Sequence, residues 1–183
     1  KLLRVDQVDL LLLHWPSSTV PLAETIAALN AVREAGQTRH IGVSNFTTAM
    51  IDEAVRLSAA PLVTDQVEYH PFLSQEKVLA TLTRHEMALT AYCPLARGKV
   101  VGDPILEAIG KAHGKTASQV ALRWLVQQDG VIAIPRSATE SRIAENLDVF
   151  DFTLTDAEMA GIHAMGSPRG RVVDIALAPD WDD

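Results

Sequence analysis

The strongest constraint on the fold of this chain is a strict alternation of short apolar runs with longer amphipathic ones. Five runs, Val8–Leu13, Arg39–Val43, Leu62–Val67, Ala88–Tyr92 and Val131–Ile134, are short and lack clean two-residue alternation. That pattern belongs to parallel strands buried on both faces. Between and after them, apolar residues recur at helical spacing over 21–35, 47–59, 74–86, 103–113, 116–128, 139–148 and 155–165. The punctuation agrees. Pro21 suits a first helical turn, Ser74 with Lys77 is a weaker start, and Thr155-Asp156-Ala157-Glu158 offers a cap followed by early acids. Gly36 and Gly114 stand where helix ends favour a left-handed residue.

Strand–helix units in series predict a parallel sheet with right-handed crossovers, as an open doubly wound sheet or a (β/α)8 TIM barrel. A dinucleotide-binding open sheet would begin with G-x-G-x-x-G, which the sequence lacks. A barrel instead places polar residues at the carboxyl end of nearly every strand. Here His14, Ser44-Asn45, Gln66, Tyr92 and Arg136-Ser137 each end a different strand. A barrel needs about 250 residues, and this chain has 183. The expectation is therefore an incomplete α/β barrel of about five C-terminal βα units. Its first three strands would be absent, and residues 1–183 would form a single domain. Lys1-Leu2-Leu3-Arg4 reads as the end of a helix already under way.

Composition narrows the partners. A formal charge of -7 without a basic stripe argues against nucleic acid. No apolar run reaches the roughly 20 residues of a membrane-spanning helix. The single cysteine, Cys93, excludes an intramolecular disulfide framework and fits a reducing, cytoplasmic compartment. Two segments carry the chemistry, Gly42-Val43-Ser44-Asn45-Phe46 and Ile134-Pro135-Arg136-Ser137-Ala138-Thr139. Each leaves a strand and breaks into small polar residues where a helix starts, an arrangement suited to a phosphorylated cofactor. Arg136 and Arg142 add positive charge beside Ser137 and Thr139, a cradle for a phosphate monoester. Glu68-Tyr69-His70 with His14 lacks the spread of a metal site, so no metal is expected. Asp65 and Glu68 lie on one strand and do not make a glycoside-hydrolysing pair. His40, His85, His113 and His163 read as solvated residues of loops or helices.

Val8-Asp9-Leu10-Leu11-Leu12-Leu13-His14-Trp15-Pro16, Gly42-Val43-Ser44-Asn45-Phe46 and Gln66-Val67-Glu68-Tyr69-His70-Pro71 resemble the aldo-keto reductase family. So do Ala91-Tyr92-Cys93-Pro94-Leu95 and Ile134-Pro135-Arg136-Ser137 through Asn146. The resemblance covers the whole chain and the C-terminal two-thirds of such an enzyme. From Arg171 to the end it is closest to bacterial 2,5-diketo-D-gluconate reductases and methylglyoxal-type reductases.

The resemblance implies NADPH-dependent reduction of small aldehydes and ketones by hydride transfer. It makes His14 the histidine that orients the carbonyl, with Trp15 and Trp181 lining the substrate pocket. Ser44, Asn45 and Gln66 would hold the nicotinamide carboxamide, and Tyr92 would stack on the ring. Cys93, where serine is usual, would face the pyrophosphate with backbone N–H groups around Leu95 and Gly98. Arg136, Ser137, Thr139 and Arg142 would take the 2′-phosphate, and Glu145 and Asn146 the adenine. Asp65 stands where asparagine is more usual. The family's proton-donating tyrosine, with its lysine and aspartate, has no counterpart here, so the chain as given is expected to be inactive. The full-length enzyme is expected to be a monomer acting on a small carbonyl compound. The competing reading is a non-catalytic NADP(H)-binding or scaffolding protein on the same fold.

Overall fold

The computed structural model describes residues 4–182. The expected helix end at Lys1-Leu2-Leu3 lies outside them. Five strands run β1 (Val8–Leu13), β2 (Thr38–Ser44), β3 (Leu62–Glu68), β4 (Ala88–Tyr92) and β5 (Val131–Ala133). Seven helices join or follow them among the described residues: α1 (Leu22–Glu34), α2 (Thr48–Leu57), α3 (Glu76–Arg84), α4 (Pro104–His113), α5 (Ala117–Val126), α6 (Glu140–Leu147) and α7 (Asp156–His163). The strands follow one another in sheet order β1-β2-β3-β4-β5. The described residues thus make an α/β fold with a five-stranded parallel sheet whose outer strands are β1 and β5. Two compact units divide it. One holds the described residues up to Val67, Glu76–Leu89 and the tail from Ile175; the other holds Glu68–Gln75 and Thr90–Asp174.

In the first unit, β1 pairs with β2 from Val8↔Thr38 to Leu13↔Val43, and β2 with β3 at Val43↔Asp65 and Ser44↔Gln66. The β2–β3 register shifts between Ile41 and Val43. Gly42 sits at that irregularity because nothing larger fits: a Cβ there would lie 2.7 Å from the Thr64 carbonyl oxygen and 2.8 Å from a Leu12 methyl. Ile26 of α1, Ile51 and Ala54 of α2, and Ile41 and Val43 of β2 are fully buried. Burial of β1 falls short of the two-sided expectation. None of its residues is buried and Leu10 is 41% exposed, since β1 has a strand on one side only.

The second unit packs α4, α5 and α7 around Leu106, Val120, Leu122, Trp124, Leu125 and Ile162. Tyr69 and Trp124 pack with their rings tilted by 57° and centroids 5.0 Å apart, and the Tyr69 hydroxyl donates to Gln128 Oε1 at 2.8 Å. Thr116 and Thr155 each close a capping box with the residue three positions on, Gln119 and Glu158. Gly114 ends α4 in the left-handed conformation, as read from sequence. The Ile134 N–H donates to the Ala91 carbonyl at 3.1 Å, but Ile132 and Ile134 remain 51% and 43% exposed. Helix α6 has no buried residue.

The histidine expectations hold in part: His40 and His163 are exposed, but His40 lies in β2, and His85 and His113 are half-buried. His85 bonds Asp52 at 2.5 Å, His113 bonds Glu158 at 2.9 Å, and His163 Nδ1 faces the Trp124 indole N–H at 3.0 Å. Those three are partnered, and Asp52 and Glu158 sit below the usual carboxylate range. For Asp52 the His85 hydrogen bond is the largest cause; for Glu158 burial pushes up, and bonds from Thr155 and His113 outweigh it.

Candidate functional site

The second unit contains a groove of about 1060 Å³ built from four segments. After β4 the chain turns through Cys93, Pro94, Leu95, Arg97 and Gly98. Cys93, Ala96 and Arg97 have φ of 49°, 48° and 54°, so this loop holds non-glycine residues in the left-handed region. The Ala96 N–H donates to the Cys93 carbonyl and the Gly98 N–H to the Leu95 carbonyl, both at 2.8 Å, so the loop is closed by consecutive backbone turns. After β5 come Ile134, Pro135, Arg136 and Ser137, and α6 presents Arg142, Glu145 and Asn146 from one face, three and four residues apart. Helix α4 and the start of α5 complete the wall with Glu107, Lys111, Lys115, Thr116 and Ser118.

Most of the second-unit residues singled out in the sequence therefore converge: Cys93, Leu95, Gly98, Arg136, Ser137, Arg142, Glu145 and Asn146 all line the groove. Thr139 stands outside the lining as the N-cap of α6, without a side-chain cap bond. Tyr92, also outside it, ends β4, its carbonyl accepting the Tyr69 N–H at 3.3 Å. The Ser137 hydroxyl accepts the Thr139 N–H at 3.1 Å, fixing the turn into α6. Glu145 is engaged within the protein, accepting the Thr116 hydroxyl at 2.6 Å. Burial pushes the Cys93 thiol up, with the hydrogen bond and charge of Arg97 pulling the other way. Lys115 ties Asp148 at 2.9 Å and Asp151 at 2.7 Å, which makes it a structural cation. Arg136 and Arg142 form no ion pair among the described residues. The sequence reading missed Arg97 and Lys111. Lys111 comes from a helix without a motif, and Arg97 is aimed by the left-handed loop; composition signals neither.

The first unit brings His14, Ser44, Asn45 and Gln66 together at the carboxyl ends of β1, β2 and β3. Asn45, with φ of 65°, is the residue type that tolerates the left-handed turn out of β2. Its amide Nδ2 donates to the His14 carbonyl at 2.9 Å and to Ser44 Oγ at 3.0 Å, and the Ser44 hydroxyl donates to the Gln66 carbonyl at 2.6 Å. Ser44 and Asn45 are buried and clamp three strand ends. The clamp grips the His14 backbone, and His14 itself is exposed. Trp15 and Trp181 meet edge-on with centroids 6.3 Å apart. Asp65 is fully buried, and burial pushes its carboxyl up to about 8; the Phe46 N–H opposes this and the Asp182 charge adds to it.

Back in the second unit, the Glu68-Tyr69-His70 run has a structural use. Glu68 and His70 are completely buried, joined Oε1 to Nε2 at 2.9 Å. His70 Nδ1 accepts the Phe72 N–H at 3.3 Å, so Nε2 carries the proton toward Glu68. The carboxylate also accepts the N–H groups of Val172 at 2.6 Å and Val173 at 2.9 Å. Burial alone would raise Glu68, but these bonds outweigh it and hold the carboxyl below its usual range.

The aldo/keto reductase family model matches residues 1–166. The chain is 36% identical to a methylglyoxal reductase DkgB of Yersinia pestis over 183 residues, covering 98% of this chain and 68% of that protein. It spans 57–58% of the length of mycobacterial aldo-keto reductases that it matches at 36–40% identity. Among solved structures, one provisionally assigned as a 2,5-diketo-D-gluconic acid reductase B superposes with a TM-score of 0.97 at 59% identity, covering 99% of this chain and 65% of that one. A Bombyx mori aldo-keto reductase in complex with NADP superposes with a TM-score of 0.85 at 34% identity, covering 97% of this chain and 63% of that one. Matched along nearly its whole length by the family model and by these relatives, the chain belongs to the aldo/keto reductase family.

Proposed function

We propose that this chain binds NADPH and serves the reduction of small aldehydes and ketones of the methylglyoxal or diketogluconate kind. One observation carries the reading: a protein of net charge -7 points Arg136 and Arg142 into one groove without an acidic partner for either among the described residues. Two uncommitted guanidinium groups beside Ser137 call for an anion, and a 2′-phosphate supplies nearly two negative charges near neutral pH. Thr139 adds a hydroxyl at the start of α6, where the helix dipole favours an anion. Asn146, with Glu145 held by Thr116, would flank the adenine. The backbone around Leu95 and Gly98, with the Cys93 thiol, would receive the pyrophosphate, and Tyr92 would face the nicotinamide ring.

In the first unit, Gln66 is the residue for the nicotinamide amide, since Ser44 and Asn45 are engaged in fixing the strand ends that present it. His14 would orient the substrate carbonyl, with Trp15 and Trp181 shaping its pocket. Bound NADPH would supply the hydride. Tyr69 supplies no proton, because its ring is buried and its hydroxyl donates to Gln128. That observation favours a second reading, in which the chain alone binds NADP(H) without turnover, as a C-terminal part of a barrel enzyme would. The single cysteine suits a reducing, cytoplasmic setting, and a monomer completes the proposal.

Fluorescence titration of the purified chain tests it. NADPH should bind more tightly than NADH, and Arg142→Ala should weaken NADPH about 10–100-fold, the loss of one charge-assisted contact, with little effect on NADH. Equal affinities for the two cofactors in the native chain would refute the phosphate cradle. Turnover of methylglyoxal by the chain alone would refute the inactive reading.

A further inference from the structure

Two carboxyl groups, one from mid-chain and one from the tail, converge on the entrance of α2. Asp65 on β3 takes the Phe46 N–H at 3.5 Å, and its other oxygen, Oδ2, is buried without a hydrogen-bond partner. Asp182 takes the Thr48 N–H and the Thr48 hydroxyl, both at 2.8 Å. Phe46 and Thr48 flank Thr47, the N-cap of α2. A helix start favours one negative charge, whereas two carboxylates sharing a site strongly disfavour double ionisation. Asp182 has the better donors, the Thr48 N–H and hydroxyl, and partial access to water. Asp65 has one long hydrogen bond and no access to water, so it keeps the proton. The Asp182 charge acts on Asp65, and Lys77 of α3 donates to the Asp182 backbone carbonyl.

We propose that the proton on Asp65 is the latch of the tail: with it, Trp181 and Asp182 stay docked at the start of α2 and against Trp15; without it, repulsion between the two carboxylates releases them. Asp65 is then a positioning residue acting through Asp182. The proposal needs no bound cofactor and stands apart from the function proposed above. It also gives the aspartate a use that asparagine would lack, since a side-chain amide at this position would hold the same shape at every pH.

Hydrogen exchange of the purified chain between pH 6 and 9.5, corrected for intrinsic rates, tests the latch. Protection of the Thr48 amide and of residues 175–182 should fall at least tenfold across the alkaline half of that range. Asp65→Asn should abolish the fall, keeping the tail protected throughout. Asp182→Asn, which removes the like charge without touching the core, should flatten the profile as well. Native protection that is independent of pH, or an alkaline loss that persists in either variant, would overturn the proposal.

Discussion

Replacing Glu68 by glutamine changes one atom and should unfold a disproportionate share of the molecule. The carboxylate receives His70 Nε2 and the Val172 N–H on one oxygen and the Val173 N–H on the other, all within a fully buried cluster. A glutamine can keep one oxygen. Its NH₂ group must then face an N–H donor, whichever way the amide turns. A buried N–H without an acceptor costs about 1–3 kcal/mol. The bonds that survive change from charge-assisted to neutral and lose roughly half their strength. The two effects together give about 3–5 kcal/mol, the range seen when one partner of a buried ionic pair is removed. Urea unfolding at pH 7 measures it directly, and exchange of the Val172 and Val173 amides localises it. A loss below about 1 kcal/mol with an unchanged m-value would refute the reasoning. The pH dependence has a definite sign. Because folding lowers this carboxyl, its contribution is fully present above the ordinary value of 4.5 and is lost as pH falls through the lower folded value.

Asp65 should behave oppositely. Its folded value is raised from 3.8 to about 8, so its contribution is present below 3.8 and is lost as pH rises toward 8. At about 1.36 kcal/mol per pH unit, holding the proton costs near 4 kcal/mol at pH 7. Asp65→Asn should therefore be more stable than the native chain at pH 7, with a gain that shrinks toward pH 5; a gain independent of pH in urea titrations would count against it. The outer strands predict a solubility effect: Leu10→Lys and Ile132→Lys put charges on exposed apolar edges and should lower aggregation of the purified chain by light scattering. Unchanged scattering in both variants would show that the edges do not drive association.

Local patterning made the elements readable. Val8–Leu13 and Ala88–Tyr92 coincide with β1 and β4, and the Thr155 capping box begins α7 as its sequence implies. Burial was harder to read, because it depends on neighbours across the sheet. The same apolar character is enclosed in β4, half-buried or exposed in β1, and split in β5 between buried Val131 and exposed Ile132. In the groove, Arg142, Glu145 and Asn146 were readable because helical spacing puts them on one face. Lys111 was not, since its place depends on how α4 packs. The partners of Glu68 and Asp65 were least readable. Val172 and Val173 act through backbone N–H groups, which no residue type advertises, and Asp182 meets Thr48 across 134 positions of sequence.

That separation has a consequence for synthesis. Val172 and Val173 follow Glu68 by 104 and 105 residues. At about 5–20 residues per second, the ribosome delivers them roughly 5–20 s after the acid itself. Throughout that interval the Glu68 carboxylate lacks the amides that let it enter a dry interior, so it must stay in water. The cluster around His70 therefore closes only after the two valines have been made, and the nascent protein keeps this region open until they are available.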